Sequence, residues 1–130
     1  MFCLDSDILI AIMRGNQEAR DKLKALQVEG IVFVSSITIF ELFFGAYLSE
    51  ATEQNLQTVS NLLAPFSKLN FSFTEAQLAG QLSANLQKKG SIIGIRDCMI
   101  AAVVISNNKT LVTRNIKHFS RIQELRLHEW

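Results

Sequence analysis

A chain of 130 residues, 48% hydrophobic and 19% charged, can bury one core and carries too little charge for disorder. No run approaches the ~18 apolar residues of a membrane span, and Met1-Phe2-Cys3-Leu4-Asp5 lacks the basic and apolar regions of a secretion signal. Net charge is only +1, but residues 88–126 hold eight bases against Asp97 and Glu124, while residues 1–87 hold five bases against nine acids. A basic C-terminal third of this kind either steers a polyanion toward an acidic pocket or is ordinary solvated surface. One soluble, cytoplasmic domain over residues 1–130 is expected, with Cys3 and Cys98 as reduced, buried thiols.

In chain order, Met1–Leu4 is a short apolar run ending at an acid, which predicts a buried strand. Asp5 or Ser6 caps a helix through Arg14, stopped by Gly15. A second helix follows over Gln17–Val28, closed by Gly30, and Ile31–Val34 is a second buried strand. Ser35 and Ser36 cap a very apolar helix, Ile37–Leu48, and a more polar one spans Glu53–Leu63 before Pro65. Lys68–Phe73 alternates loosely and predicts a third strand. Thr74-Glu75-Ala76-Gln77 reads as a helix start running toward Lys89 and stopped by Gly90. Ile95–Ser106 is a further apolar helix, and Thr110–Thr113 and Arg126–His128 are short strands. Strands alternating with helices predict a parallel sheet covered on both faces, with a binding site at the carboxyl ends of the strands.

Three acids stand out within this pattern. Glu41 lies in Ile37-Thr38-Ile39-Phe40-Glu41-Leu42-Phe43-Phe44, apolar on nearly every side, so the helix should be buried. An ionised carboxylate there costs several kcal/mol unless a cation or strong donors receive it; a salt bridge to a buried arginine is the plain alternative. Asp97, in the first turn of Ile95–Ser106, and Asp5, after the first strand, each have a simpler role as helix-start acids. If all three converge, their repulsion calls for a divalent cation, and oxygen ligands suit Mg²⁺ or Mn²⁺. Cys3, Cys98, His118 and His128 show no zinc spacing. His118 and the stripe Phe40, Phe43, Phe44 and Tyr47 read as packing residues.

Four stretches together resemble the PIN-domain ribonucleases, and within them the VapC-like toxins of VapBC toxin–antitoxin pairs. Phe2-Cys3-Leu4-Asp5-Ser6-Asp7-Ile8-Leu9-Ile10 is similar to the first motif of that family, and Ser35–Ala46, with its single glutamate, to the second. Ile95–Ala102 is similar to the third, and Leu111-Val112-Thr113-Arg114-Asn115-Ile116-Lys117-His118-Phe119 to the fourth. The likeness spans the whole chain in order. It implies a three-layer α/β/α sandwich with a central, mostly parallel sheet, and a divalent-metal-dependent endoribonuclease using one or two Mg²⁺ or Mn²⁺ ions. By position, Asp5, Glu41 and Asp97 would be the catalytic and metal-binding acids, and Thr113 a hydroxyl residue beside them. Two positions depart from the pattern. Asn115 stands where aspartate is common, and Asp7 where asparagine is common, so either residue is a candidate to complete the metal set. Arg96, Arg114 and Lys117, with Thr113, are candidate substrate-binding residues. The resemblance also implies RNA as substrate, a cognate antitoxin protein as partner, and a homodimer.

Two alternatives remain open at this level. Asn115 leaves room for an inactive PIN-like module that binds RNA or protein without cleaving it. Asp5-Ser6-Asp7 also mimics the Asp-x-Asp of haloacid-dehalogenase-type phosphatases, with Asp5 as nucleophile, although no second downstream acid pair accompanies it. A receiver-like signalling domain fails, because Asn70 and Phe71 stand where its aspartate belongs.

Overall fold

The computed structural model describes all 130 residues, Met1–Trp130. In chain order the elements are β1 (Phe2–Leu4), α1 (Ser6–Met13), α2 (Gln17–Glu29), β2 (Val32–Ser35), α3 (Ser36–Leu48), α4 (Thr52–Leu63), β3 (Ser67–Leu69), α5 (Phe73–Lys88), α6 (Ile95–Ser106), β4 (Thr110–Thr113), α7 (Ile116–Phe119) and β5 (Arg126–Glu129). The strands form one sheet in the order β3-β2-β1-β4-β5, and every neighbouring pair is parallel. The expected mostly parallel sheet is therefore wholly parallel.

Strand alternation splits the core into two halves. Cys3 and Leu111 face a cluster built with Ala79, Leu82, Leu86, Ala101 and Phe119 of α5, α6 and α7. Leu4 and Val112 face the other cluster, with Ile8, Leu9, Leu26, Leu42, Val59 and Leu63 of α1–α4. Because successive side chains point to opposite faces, one short strand supplies both layers. This is the α/β/α sandwich.

Three expectations need correction. β3 stops at Leu69 rather than reaching Phe73, because the chain turns there into α5. The start of α5 is marked by Ser72, not Thr74: the Glu75 carboxylate accepts from the Ser72 backbone N–H at 3.0 Å and its hydroxyl at 2.6 Å. Ser72-Phe73-Thr74-Glu75 has the S-x-x-E spacing such a box requires, whereas Thr74 would need Gln77 for the same role. Nor is α3 buried all round. Its inner face is Thr38, Leu42 and Ala46, while Phe40, Phe44, Tyr47 and Leu48 are exposed. Phe40 and Phe44 stack on each other at 5.8 Å, so most of the stripe read as packing faces outward, and only Phe43 leans on the core.

Candidate active site

Parallel pairing puts every strand's carboxyl end on one edge of the sheet. The chain runs from β1 outward to β2 and β3 on one side and then crosses to β4 and β5 on the other, so the strand order switches between β1 and β4, where such sheets hold their sites. Leu4 pairs with Val34 and with Val112, which sets Asp5, Ser35 and Thr113 side by side at that edge. The Asp5 backbone N–H extends the ladder by one bond, to the Val112 carbonyl at 3.0 Å.

Asp5 is buried and is also the N-cap of α1, accepting from the Ser6 N–H at 2.8 Å. Its other oxygen lies 2.8 Å from the Thr113 hydroxyl. Burial, then the charge of Asp7 and lastly that of Asp97 raise the Asp5 carboxyl to about 7 against the opposing hydrogen bonds of Thr113 and Ser6. The capping role and the site role are thus not alternatives for Asp5. It fills both.

Glu41 is carried on α3, one step off the buried face. One carboxylate oxygen is buried with no hydrogen-bond partner, and the other is 3.8 Å from the Arg96 guanidinium, which is half exposed. Burial raises its pKa and Asp97 adds to this, while Arg96 and, more weakly, the nearby Ser6 hydroxyl offset part of it. The arginine partner is real, yet it satisfies only half of the carboxylate. Asp97 sits in the first turn of α6, whose N-cap is Gly94 with no side-chain cap. One of its oxygens lies 3.8 Å from the His118 ring. Burial raises the Asp97 pKa, His118 and Arg96 lower it, and Asp7 raises it.

Asp7 is differently placed. One of its oxygens accepts from the Ile8 N–H at 2.6 Å and the Trp130 indole N–H at 3.1 Å. The other accepts from the Arg114 N–H at 2.7 Å and lies 3.1 Å from the Thr113 hydroxyl. Asn115 caps α7, and its N–H donates to the Thr113 hydroxyl oxygen at 3.0 Å. Its side-chain amide is 3.4 Å from His118.

The substrate-side residues divide. Arg96 is exposed 3.8 Å from Glu41, and Lys117 is exposed on α7. Thr113 is fully buried, so its hydroxyl serves the carboxylates instead of facing a substrate. The Arg114 guanidinium is committed: it stacks 3.6 Å over the Trp130 ring, donates to the Trp130 backbone oxygen at 2.9 Å and pairs with Glu18 at 3.0 Å. Two residues of the cluster escaped sequence reasoning. His118 is not a packing residue; it lies three positions after Asn115, one helical turn on, and therefore faces the same cleft. Trp130 follows β5 at the same edge, a placement that only the strand order reveals.

No three of the His, Cys, Asp and Glu side chains already form a closed ligand set. The donors nonetheless fit a hard divalent ion. They are carboxylate oxygens, one of Glu41's is buried without a partner, and Asp5, Glu41 and Asp97 are linked by repulsion through Asp97. Mutually repelling carboxylates of this kind are a donor set that suits a divalent cation.

Comparison with known proteins agrees with this architecture. A family model for the PIN domain matches residues 2–125. The Rickettsia felis protein named Ribonuclease VapC2 is 35% identical over 131 residues, covering 100% of this chain and 98% of that one. The tRNA(fMet)-specific endonuclease VapC of Shigella flexneri is 31% identical, covering 99% and 97%. The crystal structure of VapBC2 from Rickettsia felis, bound to a DNA fragment from their promoter, superposes with a TM-score of 0.92 at 35% identity, covering 99% of this chain and 98% of that one. A phosphatase of the haloacid-dehalogenase type is thereby set aside. The chain belongs to the PIN-domain family and, within it, to the VapC ribonucleases.

Proposed function

We propose that the protein is a Mg²⁺- or Mn²⁺-dependent endoribonuclease, the toxin of a toxin–antitoxin pair, with Asp5, Glu41 and Asp97 as its catalytic acids. The observation that most supports this is the state of those acids. All three have raised pKa values at one sheet edge, and one oxygen of Glu41 is buried unpartnered. Nothing in the core needs that arrangement, and a cation relieves it.

When bound, the cation lowers the pKa of a water and offsets charge building on the phosphate. The chain's own residues supply the rest. Asp5, held by Ser6 and Thr113, presents its carboxylate from a rigid strand end, and Asp97 and Glu41 approach from two helices. The His118 imidazole is placed beside Asp97 as a fourth donor or proton carrier. Arg96, exposed beside Glu41, and Lys117, exposed on α7, hold backbone phosphates and set the strand's direction. Thr113, Asn115 and Arg114 act behind them. Single-stranded or loop RNA fits best, because its backbone can bend into the cleft; one relative is named for tRNA(fMet), so that tRNA belongs among the substrates tried.

A cognate antitoxin is the proposed partner, supported by structural neighbours that are VapBC complexes. The exposed Phe40, Phe44, Tyr47 and Leu48 of α3 offer the apolar surface. Self-association into a homodimer is a second use for exposed apolar surface. No helix is long and apolar enough to cross a membrane; a cytoplasmic setting is part of the proposal, supported by two free, buried cysteines.

The test is cleavage of tRNA and unstructured RNA by purified protein with Mg²⁺ or Mn²⁺. Cleavage should stop on chelation and in Asp97→Asn. Undiminished cleavage in excess EDTA would overturn the metal, and undiminished cleavage by Asp97→Asn would overturn the site. A folded protein that binds RNA but never cuts it would favour the inactive module.

A further inference from the structure

Asp7 is an acid with almost nothing left to accept. Three N–H groups, from Ile8, Arg114 and the Trp130 indole, point at its two oxygens, and the Thr113 hydroxyl stands beside them. A carboxylate has about four lone-pair sites, so the three N–H groups leave Asp7 room for at most one further donor. The donors come from α1, the end of β4 and the residue after β5. They are themselves tied together, since the Arg114 guanidinium lies on the Trp130 ring and bonds its backbone oxygen while pairing with Glu18 of α2.

The consequence falls on Thr113. Its hydroxyl oxygen receives the Asn115 N–H at 3.0 Å and has Asp5 at 2.8 Å and Asp7 at 3.1 Å. A hydroxyl has one proton to donate. The Asp7 oxygen facing it already holds the Arg114 N–H at 2.7 Å, and Asp5 is the nearer acid, so that proton goes to Asp5. Register places the parts: Val112 pairs with His128 and Thr113 with Glu129, so Trp130 emerges at the edge where Asp5 and Asp7 lie.

We infer that Trp130 is a positioning residue of the nuclease site: its indole N–H, clamped by Arg114, holds Asp7 as an anchor for Thr113 and Asp5 and keeps it from being a metal ligand. The inference rests on the metal-dependent nuclease reading and adds to it an assignment for Asp7 and a role for the residue after β5. Removing the indole N–H leaves one Asp7 oxygen with only the Ile8 N–H, so the carboxylate can turn, bring its other oxygen closer to the Thr113 hydroxyl and compete with Asp5 for that proton.

Trp130→Phe removes the N–H and keeps a ring beneath the guanidinium. It should lower kcat about tenfold or more, leave KM for RNA within about twofold, and raise the Mn²⁺ concentration giving half-maximal rate several-fold; losing a group that orients metal-binding residues has effects of ~10–100-fold. Asp7→Ala should act in the same direction, and Trp130→Phe should add nothing in that background, as expected for residues that work through one contact. A Trp130 that only stabilised the fold would cost the same in both backgrounds. The chain has a single tryptophan, so one indole ¹H–¹⁵N resonance reports the bond directly, independent of activity. It should be downfield and protected from exchange in the wild type, and should lose both properties in Asp7→Ala. An indole resonance unmoved by Asp7→Ala, or equal Trp130→Phe penalties in both backgrounds, overturns the positioning role. Cleavage undiminished in Asp97→Asn overturns the nuclease site itself, so the two failures are distinguishable.

Discussion

Thr113 has one proton, two carboxylates within 3.1 Å, and no exposure to solvent. Such a hydroxyl cannot satisfy both acids, and this imbalance is where the site differs from a row of helix caps. Asp5→Asn keeps the shape and the Ser6 cap while deleting the charge, and should reduce metal-dependent cleavage at least ~100-fold with the fold retained. His118 carries a second residue-scale expectation. An imidazole next to Asp97 makes the donor set less purely oxygen and so favours Mn²⁺ over Mg²⁺. His118→Ala should narrow the Mn²⁺/Mg²⁺ rate ratio by about tenfold, measured side by side at saturating metal; an unchanged ratio removes His118 from the metal's surroundings. Of these residues, only Glu41 was physically odd in the sequence. A lone acid in an apolar helix has no comfortable alternative, whereas Asp5 and Asp97 each fit an ordinary helix start. His118 and Trp130 were invisible because no local pattern distinguishes a cleft residue on a short turn, or one just past an edge strand, from filler.

At the scale of elements, the chemistry of ends mattered more than periodicity. Ser72 and Glu75 fix the start of α5, and the same Glu75 accepts from the Ser106 hydroxyl at 2.9 Å, tying the last residue of α6 to the first turn of α5. Ser72→Ala should cost about 0.5–2 kcal/mol of unfolding free energy, read by urea titration with an unchanged m-value. Helix α6 was legible to the residue, Ile95–Ser106, because Gly94 and Asn107 bracket a solid apolar run. The end of the third strand was not, since Phe71 and Phe73 suit a strand or a helix start equally. Helix α3 was misjudged for a related reason: an all-apolar composition cannot say which face the protein itself covers. The outward face then predicts a partner. Phe44→Glu with Tyr47→Glu should leave thermal stability within ~0.5 kcal/mol, as changes at exposed sites do. It should weaken capture by a co-expressed cognate antitoxin at least tenfold. Unweakened capture would place that partner elsewhere.

Taken as a whole, the molecule holds its acids at a cost, and pH exposes it. The sheet order could be guessed only as parallel; that β1 sits between β2 and β4, bringing Asp5 against Thr113, was not readable, because strand adjacency depends on long-range packing. That adjacency buries Asp5 and raises its pKa from 3.8 to about 7, with Glu41 and Asp97 raised in the same sense. Between those values the folded state keeps a proton that the unfolded chain has released. Stability therefore falls as pH rises through the window and is lowest above about 7, at ~1.4 kcal/mol per pKa unit as an upper guide. Metal-free protein should thus melt several degrees lower at pH 8 than at pH 5.5, at roughly 3–6 °C per kcal/mol for a domain of this size. Asp5→Asn should flatten most of that slope. On the proposed metal-dependent reading a divalent ion would bind the ionised, folded site and not the unfolded chain, so millimolar Mn²⁺ should raise the melting temperature more at pH 8 than at pH 5.5. A melting temperature that rose from pH 5.5 to 8 without metal would mean that Asp5 is ionised comfortably in the fold. The carboxylates would then need no cation to coexist.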